Sequence, residues 1–171
     1  MRSDRDAAAQ PYARPQVVLH WLIAALVIVQ WLSADAMGDF FDRYEDFGPP
    51  GFPGGAAVIH AGVGATILAL MILRIAARFR YGALPLPADL PRTMALAAHL
   101  NHFGLYAVLI LLPLTGVSAL FVSTEAADLH ELLKTLLLLL VLAHVLGAAF
   151  HAFVRRDGVI WRMLSWRHEG R

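Results

Sequence analysis

Apolar residues in this chain gather into four long blocks rather than into a stripe recurring every third or fourth position. The blocks run at about 15–34, 56–77, 94–122 and 127–154. Each reaches the roughly 20 helical residues that a hydrocarbon core of about 30 Å requires. Helices of a water-soluble protein keep a polar face, and these blocks have none. The pattern predicts an all-α fold, an integral membrane four-helix bundle. It divides into a segment 1–14, a four-span domain 15–154 and a basic tail 155–171. Pro15 suits a helix start, and the first span reads as a signal anchor that stays in place. The second span follows Gly54-Gly55, and Pro113 with Gly116 predicts a kink in the third. Gly/Pro-rich 47–55 and Pro-rich 85–91 read as loops between spans.

Charge then orients the bundle. With the N-terminus inside, the inner segments carry Arg2, Arg5, Arg14, Arg74, Arg78, Arg80, Arg92, Arg155, Arg156, Arg162, Arg167 and Arg171. The outer segments carry only Arg43 and Lys134. Basic residues favour the cytoplasmic side, so both termini are expected in the cytoplasm of a multi-pass protein of the bacterial inner membrane. The outer side is acidic, with Asp35, Asp39, Asp42, Glu45, Asp46, Glu125, Asp128 and Glu131. Such a field favours cationic partners and slows anionic ones.

Composition narrows the chemistry. The 171 residues are 58% apolar and include no cysteine, against an apolar share of roughly 45–50% for soluble domains. Disulfides, iron–sulfur clusters and covalent C-x-x-C-H haem attachment are therefore excluded. Nothing in the chain suits nucleic acid. Of the eight histidines, seven fall in the four blocks, where an ionisable side chain is costly and marks a functional site. Neutral imidazole is the usual axial ligand of b-type haem, and bundle cores hold cofactors between facing helices.

Depth pairs the histidines. His60 and His130 lie near the outer surface, and His20 lies near the inner one. His144 follows His130 by 14 residues, which leaves the two on one face to within about 40° and separates them by roughly 21 Å. His20–His144 and His60–His130 thus predict two stacked, non-covalent b haems. His151 shares the stripe, but roughly 32 Å beyond His130 it reaches the headgroups, so His144 is the preferred inner ligand. His99 and His102, at the inner start of the third span, read as interfacial residues, and His168 as a tail residue. Arg74 and Arg78 read first as a positive-inside signal and second as partners for haem propionates.

These residues stand in recognisable motifs: LHWL at 19–22, IHAGVG at 59–64, LRIAAR at 73–78, AHLNHFGLY at 98–106, LPLTG at 112–116, LHELLK at 129–134 and AHVLGAAFHAFVRRDGVIWRML at 143–164. From about Tyr12 to Arg167 the chain resembles the bacterial cytochrome b561 family, di-haem four-helix proteins related to nickel-hydrogenase cytochrome b subunits. The resemblance implies two b haems on His20, His60, His130 and His144. It also implies a quinone pocket near the inner haem, close to His151. Some members oxidise superoxide at the outer face and reduce ubiquinone. The short loop between the third and fourth spans and the acidic outer face depart from that pattern, because an acidic field repels an anion. Lys134 is the only cation near the outer pair besides Arg43.

The leading expectation is electron transfer between the quinone pool and a periplasmic redox partner. An enzymatic alternative is superoxide oxidation coupled to ubiquinone reduction, and a non-redox one is a His-lined metal or proton carrier. Whether the chain is an enzyme or a carrier stays open at this point, as does its assembly, a homodimer included. The candidate quinone site combines His151, His99, His102 and Arg155, between the inner ends of the third and fourth spans, since imidazole exchanges protons near neutral pH.

Overall fold

A computed structural model of the chain describes residues 12–87, 89–164 and 166–167. Arg2, Arg5, His168 and Arg171, which entered the charge and histidine readings, lie outside the described residues. Strand β1 (Tyr12–Ala13) leads directly into α1 (Arg14–Leu32). Pro15 stands in its first turn, and the Gln16 side chain accepts the Ala13 N–H at 3.3 Å. After Ser33 the chain continues as α2 (Ala34–Asp42), a helix in what read as an outer loop. Its Asp35, Asp39 and Asp42 are exposed, while Met37, Phe40 and Phe41 are half-buried, so it is amphipathic.

A short turn of 3-10 helix (Glu45–Phe47) and the Gly/Pro-rich loop lead into α3 (Ala57–Tyr81). Helix α3 stops at Gly82, whose φ of 76° suits glycine. Helix α4 (Arg92–Phe121) begins straight after Pro91 and runs as one helix through Pro113. Three residues later α5 (Glu125–Ala149) starts, with Glu125 and Asp128 in its first turn, where they complement the helix dipole. It widens into a π-helical turn (Phe150–Arg155). The four long helices α1, α3, α4 and α5 are each apolar and long enough to cross a membrane. Their bounds differ from those expected by three residues or fewer where they begin. The fourth span begins at Glu125 rather than near 127, and its last turn is π-helical.

Ile23, Val27, Ile67, Met71, Val108, Leu133 and Leu137 form the shared core. Outward-facing Ile72 and Leu139 belong against lipid tails. Helices in a membrane associate through close packing more than through the hydrophobic effect. Gly104 illustrates it: a Cβ there would meet Leu140 at 3.1 Å.

Two short strands meet at the arginine-rich end of the bundle. Strand β2 (Trp166–Arg167) pairs in parallel with β1, and α6 (Trp161–Leu164) precedes it. Trp21 Nε1 donates to the Met163 carbonyl at 2.8 Å. Buried Arg162 donates to the Pro85 carbonyl at 2.7 Å. Residues 161–164 and 166–167 therefore form a closure across the arginine-rich ends of the helices.

Candidate cofactor site

Two pairs of imidazole rings face each other at opposite ends of the bundle. His60, four residues into α3, and His130, six into α5, have ring centres 6.3 Å apart. His20 on α1 and His144 on α5 have theirs 6.0 Å apart. Two metal–imidazole bonds of roughly 2 Å, added to the roughly 1 Å from each ring centre to its nitrogen, also span roughly 6 Å. Each pair is thus spaced for one six-coordinate iron between its rings. All four side chains are half-buried.

The outer pair is oriented by its second nitrogens. The Ser33 hydroxyl donates to the Val29 carbonyl at 2.9 Å, so its oxygen is left to accept from His60 Nδ1 at 3.4 Å. His130 Nδ1 donates to the Leu112 carbonyl at 3.0 Å and lies 3.1 Å from Thr115 Oγ1. With Nδ1 protonated, Nε2 keeps its lone pair for a metal, the arrangement by which outer-sphere groups fix a ligating histidine. Gly116 makes room for this ring: a Cβ there would lie 3.3 Å from His130 Cε1. A cleft of about 520 Å³, counting its open mouth, lies beside the pair. Gln30, Trp31, Gly64, Pro113 and Lys134 are among its lining residues. Lys134 is ion-paired to Glu131. The Gln30 Oε1 atom is buried without a partner among the described residues.

The inner pair is held differently. Arg74 donates to the Gln16 carbonyl at 3.1 Å and to His20 Nδ1 at 3.2 Å, and its guanidinium stacks over Tyr106. Arg78, its partner in the sequence reading, is exposed. His102 comes edge-on to His144 with ring centres 5.1 Å apart, a proximity that the interfacial reading missed. His102 Nδ1 donates to the Ala98 carbonyl. Its position was available in the spacing, one turn beyond His99 and level with His20.

The candidate quinone residues do not converge. His99 is exposed and, among the described residues, bonds to its own helix at the Ala95 carbonyl. His151 turns from the inner pair to Asp157, with Nδ1 2.6 Å from Oδ2. Arg155 donates to Asp157 at 3.0 Å and to Asp89 at 2.6 Å. Asp157 went unnoticed in the sequence. Burial alone would raise its pKa, but bonds from His151, Arg155 and the Val159 N–H hold it below the ordinary carboxylate value. Among the described residues, no three His, Asp or Glu side chains converge as a set for a bare metal ion.

Comparison with known proteins identifies the family. The model of the prokaryotic cytochrome b561 family matches residues 11–166. A Yersinia pestis protein named probable superoxide oxidase CybB is 31% identical, the match covering 90% of this chain and 95% of that one. Cytochrome b562 of Cereibacter sphaeroides is 33% identical over 91% of this chain and 96% of its own length. Cytochrome b561 homolog 1 of Escherichia coli is 22% identical over 91% and 98%. A family match spanning nearly the whole chain, on four membrane helices with two facing histidine pairs, places the chain in the prokaryotic cytochrome b561 family, haem-b electron-transfer proteins of the bacterial inner membrane.

Proposed function

We propose that the chain carries electrons across the membrane through two b haems, between the quinone pool at its arginine-rich end and a periplasmic redox partner at the other. The supporting observation is the two ring pairs, each spaced for one iron. His60 and His130 hold the outer haem, and His20 and His144 the inner one. Haem b, when bound, supplies one-electron redox chemistry at its iron. The side chains orient and insulate; none makes or breaks a bond to carbon.

The imidazoles of the outer pair are presented with Nε2 free by Ser33, Leu112 and Thr115. At the inner pair, Arg74 would hold a haem propionate in place of His20 Nδ1, and the ring proton would then pass from Nε2 to Nδ1, freeing Nε2 for iron. Arg78 is the weaker candidate for that role, being exposed. Both termini lie in the cytoplasm in this reading, on the strength of twelve basic residues against two.

A second reading is superoxide oxidation coupled to ubiquinone reduction. It is favoured by the name of the Yersinia relative and by the cleft beside the outer pair, which Lys134 lines. The pairing of Lys134 with Glu131 and the acidic outer surface weigh against it. Stopped-flow mixing of oxidised protein with superoxide separates the two readings. Electron transfer to a protein partner predicts slow, salt-insensitive haem reduction by superoxide, and reduced haem that a short-chain ubiquinone analogue reoxidises. Near-diffusion reduction by superoxide would install the second reading. Reduced haem that no quinone reoxidises would remove the quinone from both.

A further inference from the structure

Beyond α5 the π-helical turn ends at Arg156, a non-glycine residue in the left-handed region with φ 51° and ψ 37°. That turn sends the chain back on itself and lays Asp157 over His151. The side chains of the pair are only 16% and 14% exposed, although they stand where the helix leaves the bilayer. Asp157 is saturated with donors. Its Oδ2 accepts from His151 Nδ1 at 2.6 Å and from Arg155 Nε at 3.0 Å, and its Oδ1 from the Val159 N–H at 3.3 Å. Arg155 in turn reaches Asp89 across the loop that joins α3 to α4. A carboxylate fastened this way holds an imidazole in one orientation and one tautomer, with Nδ1 protonated and Nε2 as the exchangeable position.

We propose that Asp157 is the positioning residue of a proton-exchange dyad with His151, which serves a quinone bound at this end of the bundle. The inference rests on the quinone reading above and names the group that moves its protons. Reduction of a quinone to a quinol takes two electrons and two protons. Haem b, when bound, would supply the electrons one at a time. For each proton, the Nε2–H bond of the doubly protonated His151 ring breaks and a quinone O–H bond forms. The neutral imidazole left behind then takes a proton from hydronium at the cytoplasmic surface, while Asp157 keeps Nδ1–H throughout. Quinol oxidation runs the same exchange in reverse. The bland alternative is a staple, in which Asp157 and Asp89 only fasten the chain end to the neighbouring loop.

Three variants of the haem-loaded protein separate these roles, with reoxidation by a short-chain ubiquinone analogue as readout. General acid–base assistance contributes roughly 10²–10⁴ in rate, so Asp157→Asn is expected to slow turnover at least tenfold at saturating quinone. The quinone concentration for half-maximal rate and both haem spectra should hold. Asp157→Glu should recover part of the rate. Asp89→Asn cuts only the tie to the loop and should stay within twofold of the parent. Nitrogen-15 shifts of labelled histidine should show His151 protonated at Nδ1 in the parent and mixed between tautomers in Asp157→Asn. Equal slowing by Asp89→Asn and Asp157→Asn would reduce the dyad to a staple, and an unaltered Asp157→Asn rate would overturn it outright. A parent protein that no quinone reoxidises would overturn the quinone reading, and the dyad with it.

Discussion

A methyl group at Gly116 would sit 3.3 Å from the Cε1 carbon of His130 and 3.5 Å from its Nδ1, so this glycine sets where an outer ligand can stand. Gly116→Ala asks the ring to give by a few tenths of an ångström. Gly116→Leu has no such option, and is expected to abolish the outer haem while leaving the inner spectrum in place. The histidines themselves give the cleaner pattern. His60→Ala and His130→Ala should each remove the same haem signal, and His20→Ala and His144→Ala the other, by difference spectra of purified variants. Loss of the inner haem in His151→Ala with its retention in His144→Ala would mean that the wrong ring was chosen. That His60 would stand beside His130, and His20 beside His144, was legible from depth and the 3.6-residue period, although His151 shared the same stripe. Asp157 was not, because its contact depends on a left-handed turn at an arginine, a conformation that no residue type there announces.

Among the elements, the four spans were legible because a bilayer demands both length and apolar composition, and few soluble segments meet both. Helix α2 was passed over because its acidic residues suggested a loop. The signal was present: Asp35, Asp39 and Asp42 recur at helical spacing opposite Met37, Phe40 and Phe41. The closure over the inner end was hidden for another reason, since it rests on backbone carbonyls of Gly82, Pro85 and Met163. The segment after the π-helical turn carries its own pH dependence. A carboxyl whose folded pKa is depressed favours the folded arrangement above its unfolded value, and loses that contribution as pH falls through the folded one. The Val159 amide, bonded to Asp157, should therefore be protected from hydrogen exchange from neutral pH down to about 4 and lose that protection progressively as pH falls on through the depressed folded value. In Asp157→Asn the protection, after correction for intrinsic rates, should no longer depend on acid pH. A parent amide whose protection falls with acid no more than that of Asp157→Asn would disconnect this segment from the carboxylate.

For the whole molecule, charge and chemistry run along one axis. One end gathers arginines, the paired strands β1 and β2 and the His151–Asp157 dyad; the other gathers acids, a cleft and the outer histidine pair. The absence of native cysteine makes the orientation easy to read with single probes. Asp46→Cys should react with an impermeant maleimide in intact cells, and Ala83→Cys only after lysis; the reverse pattern would invert the molecule. The axis matters because, in the proposed route, His130 and His144, roughly 21 Å apart on one helix, would divide the crossing into two stages.

The measurement that tests the account most directly is haem stoichiometry. Purified protein, loaded to saturation, should release all its haem into acid–acetone, because no cysteine can bind it covalently. Pyridine haemochrome analysis should then give two haems per polypeptide. A reproducible value of one in fully loaded protein would contradict the pairing of His20 with His144 and His60 with His130.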